Sequence, residues 1–431
     1  MNFRIITLGC KVNQYESQVM SENMQKSGYS LARDTDTADI TVINTCTVTS
    51  SGDSKNQKLV RKVRRENPHG IIVLTGCMPQ AFPDDLDLFQ NCDIVLGNAS
   101  RAELVPAIQA FFINHQQIIN ISPHKDKGEN FESMSATSSF EEHTRAFIKI
   151  EDGCNRFCSY CIIPYARGRV RSKDLADLHR EATVLANNGY KEIVLVGINL
   201  SAFGQGTDYN LCDAVECVAS IPQIERVRLG SLEPERMDDQ TVMRLAKCDK
   251  LCPQFHLSLQ SGCDATLKRM NRHYTCDEYV QIVERLHSAF ENCAITTDIM
   301  VGFAGETPEE FQASLQFTQK IGFAKVHTFA YSRRKGTVAD KAPNQVPQNI
   351  KNQRSREMIE FTDKIRANFL QTQVGRVESV LFERRKNNSY CEGYTKNYTQ
   401  VRVYNDVDLS GQIINVKITQ AENDFCIGEI L

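Results

Sequence analysis

Three cysteines stand close together near the middle of the chain, in the order Cys154-Asn-Arg-Phe-Cys158-Ser-Tyr-Cys161. Three thiolates on one loop can bind three irons of a four-iron cluster, which leaves the fourth iron open to a substrate or cofactor. The alternative is a structural zinc site, which prefers four protein ligands with pairs spaced two to four residues apart. Because no further Cys or His follows within the next dozen residues, the spacing favours the iron–sulfur cluster.

A second set of three cysteines is marked by its position after short apolar runs. Cys10, Cys46 and Cys77 each follow such a run, and they are separated by 36 and 31 residues, about one strand–helix unit each. Because parallel strands end at one edge of a sheet, we expect the three thiols to converge there. Each cysteine taken singly is more often a small buried residue than a ligand. The repeated position predicts a second three-cysteine site, and we interpret the other ten cysteines as packing residues.

The apolar runs predict the elements that position these cysteines, in an α/β chain of three domains. Over residues 1–114, apolar runs alternate with amphipathic stretches, which predicts a doubly wound parallel sheet with helices on both faces. Residues 115–144 are mostly polar and are interpreted as a linker. Six further strand–helix units over 145–370 predict a central, partial (β/α)6 barrel with its chemistry at the strand carboxyl ends. Residues 371–431 predict a small all-β barrel.

Each predicted strand is a short apolar or alternating run. Those of the first domain are Ile5–Leu8, Ile40–Ile43, Ile71–Leu74 and Ile94–Leu96. Those of the central barrel are Phe147–Ile150, Ile193–Val196, Val227–Leu229, Phe255–Leu259, Ile295–Val301 and Val326–Ala330. The segment Thr307-Pro308-Glu309-Glu310 predicts a helix start, with Thr as N-cap, Pro at the first helical position and Glu three residues after the cap.

The composition excludes several classes of protein. With 41% apolar and 24% charged residues in 431, the chain can bury a normal core, which excludes bulk disorder and coiled coil. Sixteen cysteines fall well short of the roughly 8–10% typical of disulfide scaffolds. No leader-like start and no apolar run near the roughly 18 residues of a membrane span is apparent. We expect a cytoplasmic protein with no membrane partner, whose cysteines are thiols or metal ligands.

Basic residues are clustered although the net charge is only −3. The window Ser54–Arg65 holds six basic residues and no acid, and Gly153–Lys173 is a second acid-free basic window. Such patches can bind nucleic-acid phosphates. For the first window, a helix face that is simply exposed to solvent is the alternative explanation. Over residues 376–402 six basic residues stand against three acidic ones, interleaved with tyrosines that offer base stacking or half-buried packing: Tyr390, Tyr394 and Tyr398.

Together these motifs resemble the radical S-adenosylmethionine (SAM) methylthiotransferases over nearly the whole chain. Gly9-Cys10, Asn44-Thr45-Cys46 and Thr75-Gly76-Cys77 resemble that family's N-terminal domain, and Gly153–Ser172 resembles its radical-SAM motif. The C-terminal barrel is similar to the TRAM domain. Further similar segments are Val196–Asn199, Leu259–Gly262, Asp298–Thr307 and Phe329–Ser332, with Ala304 where proline is common.

The stretch Cys161–Gly168 most resembles the branch that modifies N6-threonylcarbamoyladenosine in transfer RNA (tRNA). The resemblance implies methylthiolation of adenine C2 at position 37, next to the anticodon on its 3′ side. One SAM would give its methyl group, and a second would give a 5′-deoxyadenosyl radical that removes the C2 hydrogen. Sister branches act on isopentenyladenosine in tRNA or on an aspartate of a ribosomal protein, and these are the alternatives. A zinc-dependent RNA-binding protein without catalysis is the alternative of another class.

The resemblance also implies cofactors, contacts and partners. Two 4Fe-4S clusters are expected, one on Cys154, Cys158 and Cys161, and one on Cys10, Cys46 and Cys77. The expected SAM contacts lie beside the first cluster and after the second and fourth barrel strands: Tyr160, Gly197, Asn199 and Gln260. The expected partners are the tRNA anticodon stem-loop and an electron donor such as flavodoxin or ferredoxin.

The threonylcarbamoyl group ends in a carboxylate, which an arginine can hold through two parallel hydrogen bonds. Arg167, Arg169 and Arg171 follow the cluster loop directly. We therefore hypothesise that one of these three arginines binds the substrate carboxylate.

Overall fold

The structure is a computed structural model that describes residues 1–33, 36–84, 86–125, 130–132, 144–383, 385 and 389–431. The α-helices are α1 (Lys11–Lys26), α2 (Ser50–Glu66), α3 (Cys77–Ala81), α4 (Leu104–Asn114), α5 (Ile163–Arg167), α6 (Leu175–Asn187), α7 (Leu211–Ala219), α8 (Asp239–Leu245), α9 (Asp264–Arg269), α10 (Cys276–Ala289), α11 (Pro308–Ile321) and α12 (Gln348–Gln373). None of the described helices is long and apolar enough to cross a bilayer.

The strands are short, as is usual in α/β proteins. They are β1 (Asn2–Thr7), β2 (Ser30–Leu31), β3 (Ile40–Thr45), β4 (Ile71–Gly76), β5 (Ile94–Leu96), β6 (Ile118–Asn120), β7 (Ala146–Lys149), β8 (Glu151–Asp152), β9 (Arg171–Ser172), β10 (Glu192–Val196), β11 (Arg226–Leu229), β12 (Ser231–Leu232), β13 (Gln254–Leu257), β14 (Ala294–Val301), β15 (Lys325–Ala330), β16 (Val377–Phe382), β17 (Cys391–Thr395), β18 (Gln400–Val403), β19 (Ile413–Ala421) and β20 (Cys426–Ile430).

The chain divides into two compact units. The first comprises Met1–Ser138, Lys149–Lys173 and Ser332–Asp340, and the second comprises Ser139–Ile148, Asp174–Tyr331 and Lys341–Leu431. The cluster loop predicted from Cys154 to Cys161 therefore belongs to the same unit as the N-terminal sheet. This differs from the predicted boundary at residue 145, because buried ion pairs tie the segment 149–173 to helix α1.

The first unit is built on a six-stranded sheet in the order β2-β1-β3-β4-β5-β6, in which every pairing is parallel. One face of the sheet packs against α1 and α4, and the other packs against α2. The central strands β3, β4 and β5 are buried along their whole length, as a sheet covered on both faces requires. The predicted doubly wound domain and its four strands are confirmed.

The sheet continues past the predicted domain end at residue 114. Strand β6 pairs with β5 through Ile94↔Ile118 and lies within the stretch interpreted as a linker, which therefore begins later than predicted. The residues numbered 126–129 and 133–143 of that stretch lie outside the described part of the chain.

The second unit holds the strand–helix series. All six predicted strands are observed as β7, β10, β11, β13, β14 and β15, in a sheet ordered β11-β10-β7 and another ordered β12-β13-β14-β15. The pairs β10–β11, β12–β13, β13–β14 and β14–β15 are parallel, which confirms the partial barrel. Helix α11 begins as predicted, since the Thr307 hydroxyl accepts the Glu310 N–H and the Glu310 carboxylate accepts the Thr307 N–H.

The C-terminal residues form a closed barrel in the order β16-β17-β18-β20-β19, which confirms the predicted all-β domain. Its interior is apolar and includes Val380, Phe382, Val401, Val416 and Ile418. Within the second unit this barrel is joined to the strand–helix series by buried arginines. Arg226 donates to the Ser379 carbonyl at 2.6 Å, and Arg228 donates to the Lys396 carbonyl at 2.9 Å.

Candidate functional site

Cys10, Cys46 and Cys77 follow three strands that are neighbours in the sheet, in the order β1-β3-β4. Cys10 is the N-cap of α1, and Cys77 is the first residue of α3. The strand order therefore brings the three cysteines to the same carboxyl edge, as the repeated sequence position predicts.

Two glycines allow the cysteine-bearing turns to approach each other. Gly9 has a φ of +121°, and a Cβ placed there would lie 2.6 Å from the Cβ of Cys46. Gly76 has a φ of +101°, and its Cβ would lie 2.4 Å from the carbonyl oxygen of Thr45. A side chain at either position would push the turns apart, so the cysteine set depends on glycine here.

Asn13 links two of these turns from the first turn of α1. Its amide donates to the carbonyls of Leu8 at 3.1 Å and Thr45 at 3.0 Å, and its side-chain oxygen accepts from the Cys10 thiol at 3.4 Å. The turn after β1 and the turn after β3 are therefore bound to one buried side chain.

The thiols interact electrostatically with one another. Burial, together with the neighbouring Cys77 and Cys10, raises the pKa of the Cys46 thiol to about 12. Burial also raises the pKa of the Cys10 thiol, against the opposing positive charge of Arg167. Both thiols are protonated at neutral pH in the absence of a cation, so metal binding at this edge must release protons.

The loop that carries Cys154, Cys158 and Cys161 is closed by its own backbone. The Cys154 N–H donates to the Gly168 carbonyl at 3.0 Å, and the Cys161 N–H donates to the Cys158 carbonyl at 2.9 Å. Gly153 has a φ of +87°, and a Cβ there would lie 2.0 Å from the Arg169 carbonyl oxygen. All three cysteines are half-buried, which leaves the sulfurs accessible to a cofactor.

A buried charge network joins this loop to the N-terminal sheet. The carboxylate of Glu16, on α1, binds Arg101 at 2.7 Å, Lys149 at 2.9 Å and Arg167 at 2.8 Å. Asp152 binds Lys149 at 3.0 Å and Arg167 at 3.1 Å. Although burial raises the pKa of Glu16, its three cationic neighbours lower it to about 2.

Arg167 uses all five of its N–H donors within this network. Its Nη atoms bind Glu16, Asp152 and Asn13, and its Nε donates to the Sγ of Cys77 at 3.2 Å. The side chain is fully buried. Arg167 therefore does not fit the hypothesised role of binding a substrate carboxylate, because no donor remains for one.

The other two candidate arginines differ from each other. Arg171 is largely buried, donates to the carbonyls of Arg167 and Arg169, and lies 3.5 Å from Asp152. Arg169 is exposed, with its guanidinium 4.8 Å from the centre of the Phe157 ring. Of the three, Arg169 is the arginine whose side chain is exposed.

The expected SAM contacts fall in both units. Tyr160 lies in the first unit, between two cysteines of the loop, whereas Gly197, Asn199 and Gln260 lie in the second. Gln260 has a φ of +70°, which a non-glycine residue rarely adopts, and its backbone is bonded to β14 on both sides. These four assignments stay predictions.

The basic face of α2 is exposed as predicted: Lys55, Lys58, Lys62 and Arg65. For two of the C-terminal tyrosines the structure favours half-buried packing over base stacking. The rings of Tyr394 and Tyr398 stack on each other at 4.6 Å, and Arg145 lies 5.0 Å from both. Tyr390 instead lies against Tyr404, which is 67% exposed. Arg384 and Lys386 of this window lie outside the described residues.

Sequence reasoning missed two sets of polar residues. One is the ion-pair network around Glu16. The sequence feature that could have revealed it is Lys149, a charged residue within an otherwise apolar strand. The other lies on neighbouring strands of the second unit, where His256 Nε2 is 3.4 Å from Asp298 Oδ2 and the His327 ring lies 6.0 Å from that of His256. The polar residues that alternate with apolar ones in those strands could have indicated this second set.

Among the described residues, no group of three or more His, Cys, Asp or Glu side chains is in position to hold a single metal ion. The assignment of the six cysteines to clusters therefore stays a prediction. It depends on the strand ends, the glycine turns and the loop spacing described above.

Three protein families match successive parts of the chain. Residues 2–97 match the uncharacterized protein family UPF0004, residues 148–318 match the Radical SAM superfamily, and residues 371–431 match the TRAM domain. These three matches follow the predicted order of the domains.

Curated relatives match over nearly the full length. The chain is 35% identical to threonylcarbamoyladenosine tRNA methylthiotransferase MtaB of Bacillus subtilis, covering 99% of this chain and 95% of the relative. It is 36% identical to the protein of the same name from Thermotoga maritima, covering 92% and 90%. It is 33% identical to the tRNA-2-methylthio-N(6)-dimethylallyladenosine synthase of Alkaliphilus oremlandii, covering 100% and 92%.

Among solved structures, the fold is similar to that of TsrM from Kitasatospora setae, a radical S-adenosylmethionine methyltransferase. The TM-score is 0.60 at 13% identity, over 79% of this chain and 77% of that one. At this identity the likeness concerns the fold alone.

Proposed function

Since the chain belongs to the radical SAM tRNA methylthiotransferases, we propose that it adds a methylthio group to C2 of N6-threonylcarbamoyladenosine at position 37 of tRNA. The reaction uses two molecules of SAM, one as methyl donor and one as the source of the 5′-deoxyadenosyl radical. The proposal follows relatives at 35% and 36% identity that are named as threonylcarbamoyladenosine tRNA methylthiotransferases. The relatives named for dimethylallyladenosine make that nucleoside the second candidate.

One observation carries the proposal. Two sets of three cysteines lie in one compact unit, the first at the ends of three adjacent strands and the second on the loop from Cys154 to Cys161. A contact between Arg167 and Cys77 connects the loop segment to the strand-end set. A methylthiotransferase needs a radical source and a sulfur source in the same molecule, and two three-cysteine sites supply places for both.

The residues fit two 4Fe-4S clusters. Cys154, Cys158 and Cys161 would hold the SAM-binding cluster, and Cys10, Cys46 and Cys77 would hold the auxiliary cluster. When bound, these groups and SAM supply the sulfur, the methyl group and the hydrogen-abstracting radical that an unactivated adenine C2–H requires. The glycine turns at Gly9 and Gly76 support this assignment, because they allow the turns that carry the three strand-end cysteines to approach one another closely.

The chain's own residues bind and orient the reactants. Tyr160, Gly197, Asn199 and Gln260 are the proposed SAM contacts. Gln260 is suited to this role because two backbone hydrogen bonds, to the Asp298 carbonyl and from the Met300 N–H, fix it beside β14. Arg169 is the proposed contact for the substrate carboxylate, since its guanidinium is exposed.

The proposed macromolecular partner is the anticodon stem-loop, held in part by the basic face of α2 (Lys55, Lys58, Lys62 and Arg65). A flavodoxin or ferredoxin is the proposed electron donor. A tRNA substrate favours a cytoplasmic location.

The cluster assignment predicts a defined iron content. Anaerobically purified protein is expected to be brown and to contain about eight irons and eight sulfides per chain. Replacing Cys154, Cys158 and Cys161 by Ala is expected to leave about four irons, and so is replacing Cys10, Cys46 and Cys77. Iron and sulfide assays and the visible absorption spectrum provide the measurement.

Replacing Cys217, Cys248 and Cys276 by Ala provides the matched control. These three half-buried cysteines lie outside both sets, and the control variant is expected to keep about eight irons. Colourless protein with stoichiometric zinc would show instead that the cysteines form structural zinc sites.

A further inference from the structure

A hydrogen bond connects an arginine of the loop segment to a cysteine at the strand ends. The Nε of Arg167 lies 3.2 Å from the Sγ of Cys77, and both side chains are buried. Asn98 approaches the same sulfur with its Nδ2 at 3.6 Å, and it also donates to the Ala166 carbonyl at 2.7 Å. Two N–H donors are therefore directed at one buried sulfur.

Arg167 also belongs to a buried network of ion pairs. Its guanidinium binds Glu16 at 2.8 Å and Asp152 at 3.1 Å, and its Nε is directed at the Sγ of Cys77. A ligand sulfur at Cys77 would therefore face a buried cation as well as an N–H donor.

The reduction potential of an iron–sulfur cluster depends on its net charge and on the hydrogen bonds that its sulfurs accept. Both a nearby cation and an N–H···S bond stabilise the reduced, more negative state. Resting on the cluster assignment proposed above, we propose that Arg167 is a positioning residue that raises the reduction potential of the auxiliary cluster through Cys77. This role replaces the substrate contact that the sequence suggested for Arg167.

The test isolates the auxiliary cluster in the full chain by replacing Cys154, Cys158 and Cys161 with Ala. The midpoint potential is measured by redox titration followed by electron paramagnetic resonance. In this background, Arg167→Met removes both the positive charge and the donor to Cys77. The equilibrium constant for reduction is expected to fall at least tenfold, which is about 59 mV for a one-electron couple.

Lys149→Met is the matched control. Lys149 is buried like Arg167 and binds the same Glu16 carboxylate, and its hydrogen bonds reach Glu16 and Asp152 rather than Cys77 or Asn98. We expect the equilibrium constant for reduction to change less than threefold in this variant. An unchanged potential in Arg167→Met, or an equal fall in both variants, would overturn the proposal, since the second result indicates a merely structural role.

Arg167→Lys covers the case in which Arg167→Met does not assemble a cluster. Lysine keeps the charge beside Glu16 and Asp152 but loses the fixed Nε donor, so a smaller fall in potential is expected. A potential equal to that of the parent overturns the proposal. If the parent with Arg167 intact assembles no cluster, the cluster assignment itself is wrong and the inference fails with it.

Discussion

Arg169 is the exposed member of the three arginines that follow the cluster loop, and its role belongs to the scale of single residues. Arg169→Lys keeps the positive charge but removes the planar fork that binds a carboxylate through two hydrogen bonds. We expect the KM for a threonylcarbamoyladenosine-containing stem-loop to rise about tenfold or more, since a hydrogen bond to a charged group contributes roughly 1.5–3 kcal/mol. Steady-state kinetics with the purified enzyme measure this.

Arg356→Lys is the control, because Arg356 is an exposed arginine on α12, outside the proposed RNA contacts, and the exchange again preserves charge. Its KM should stay within about twofold of the parent, as expected for a surface substitution. If the two variants behave alike, Arg169 does not bind the carboxylate.

The six proposed ligands could be named from the sequence because each depends on local information. A cysteine is visible as such, and its spacing or its place after an apolar run carries the rest of the argument. The role of Arg167 could not be found in this way, because its partners Glu16 and Cys77 are far away in the chain. Only the folded structure brings the loop segment against α1, so the neighbours of Arg167 in the sequence do not reveal these partners.

At the scale of elements, the contact of β10 and β11 with the C-terminal barrel is made by two buried arginines that share one buried carboxylate. Glu192 binds Arg228 at 2.7 Å and Arg226 at 3.5 Å, and both arginines donate onward to barrel carbonyls. Although burial raises the pKa of Glu192, the neighbouring arginines, Arg228 above all, hold it below its usual value of 4.5. Glu192 therefore stabilises the fold at neutral pH, and this contribution is lost as the pH falls from 4.5 through the lowered pKa.

Glu192→Gln leaves the buried arginines without their counter-charge and is expected to destabilise the second unit by about 3–5 kcal/mol at pH 7. The free energy of unfolding is measured by urea denaturation, and the loss should shrink as the pH falls below 4.5. Glu225→Gln is the control, since Glu225 pairs with Lys191 at the surface and such pairs contribute about 1 kcal/mol or less. Equal losses in the two variants would contradict the role given to Glu192.

Strand positions were predictable because the runs are apolar and short, and every predicted strand is present. The tyrosines of the C-terminal barrel were not predictable in the same way. Tyr394 and Tyr398 alternate with charges as a base-stacking surface would, but Arg145 and Arg228 lie against their rings. A sequence pattern does not reveal which side of a small barrel another domain covers.

At the scale of the whole molecule, the sequence predicts three domains in the right order, whereas the compact units follow a different division. The segment 149–173 opens the radical SAM match yet packs with the N-terminal sheet, because Lys149, Asp152 and Arg167 share ion pairs with Glu16. The segment Ser332–Asp340 belongs to the same unit, in which Arg334 binds Asp53 at 2.7 Å. Both cysteine sets are thus carried by one unit, which no domain boundary in the sequence indicates.

The most direct test of the proposed function is the product that the enzyme forms. The anaerobically reconstituted protein is incubated with SAM, a reductant and a tRNA anticodon stem-loop carrying N6-threonylcarbamoyladenosine, and the digested nucleosides are analysed by mass spectrometry. We predict a methylthio group on C2 of that nucleoside, formed only when all six proposed cysteine ligands are intact. An unchanged nucleoside, together with methylthiolation of an isopentenyladenosine-containing stem-loop under the same conditions, would contradict the proposed function.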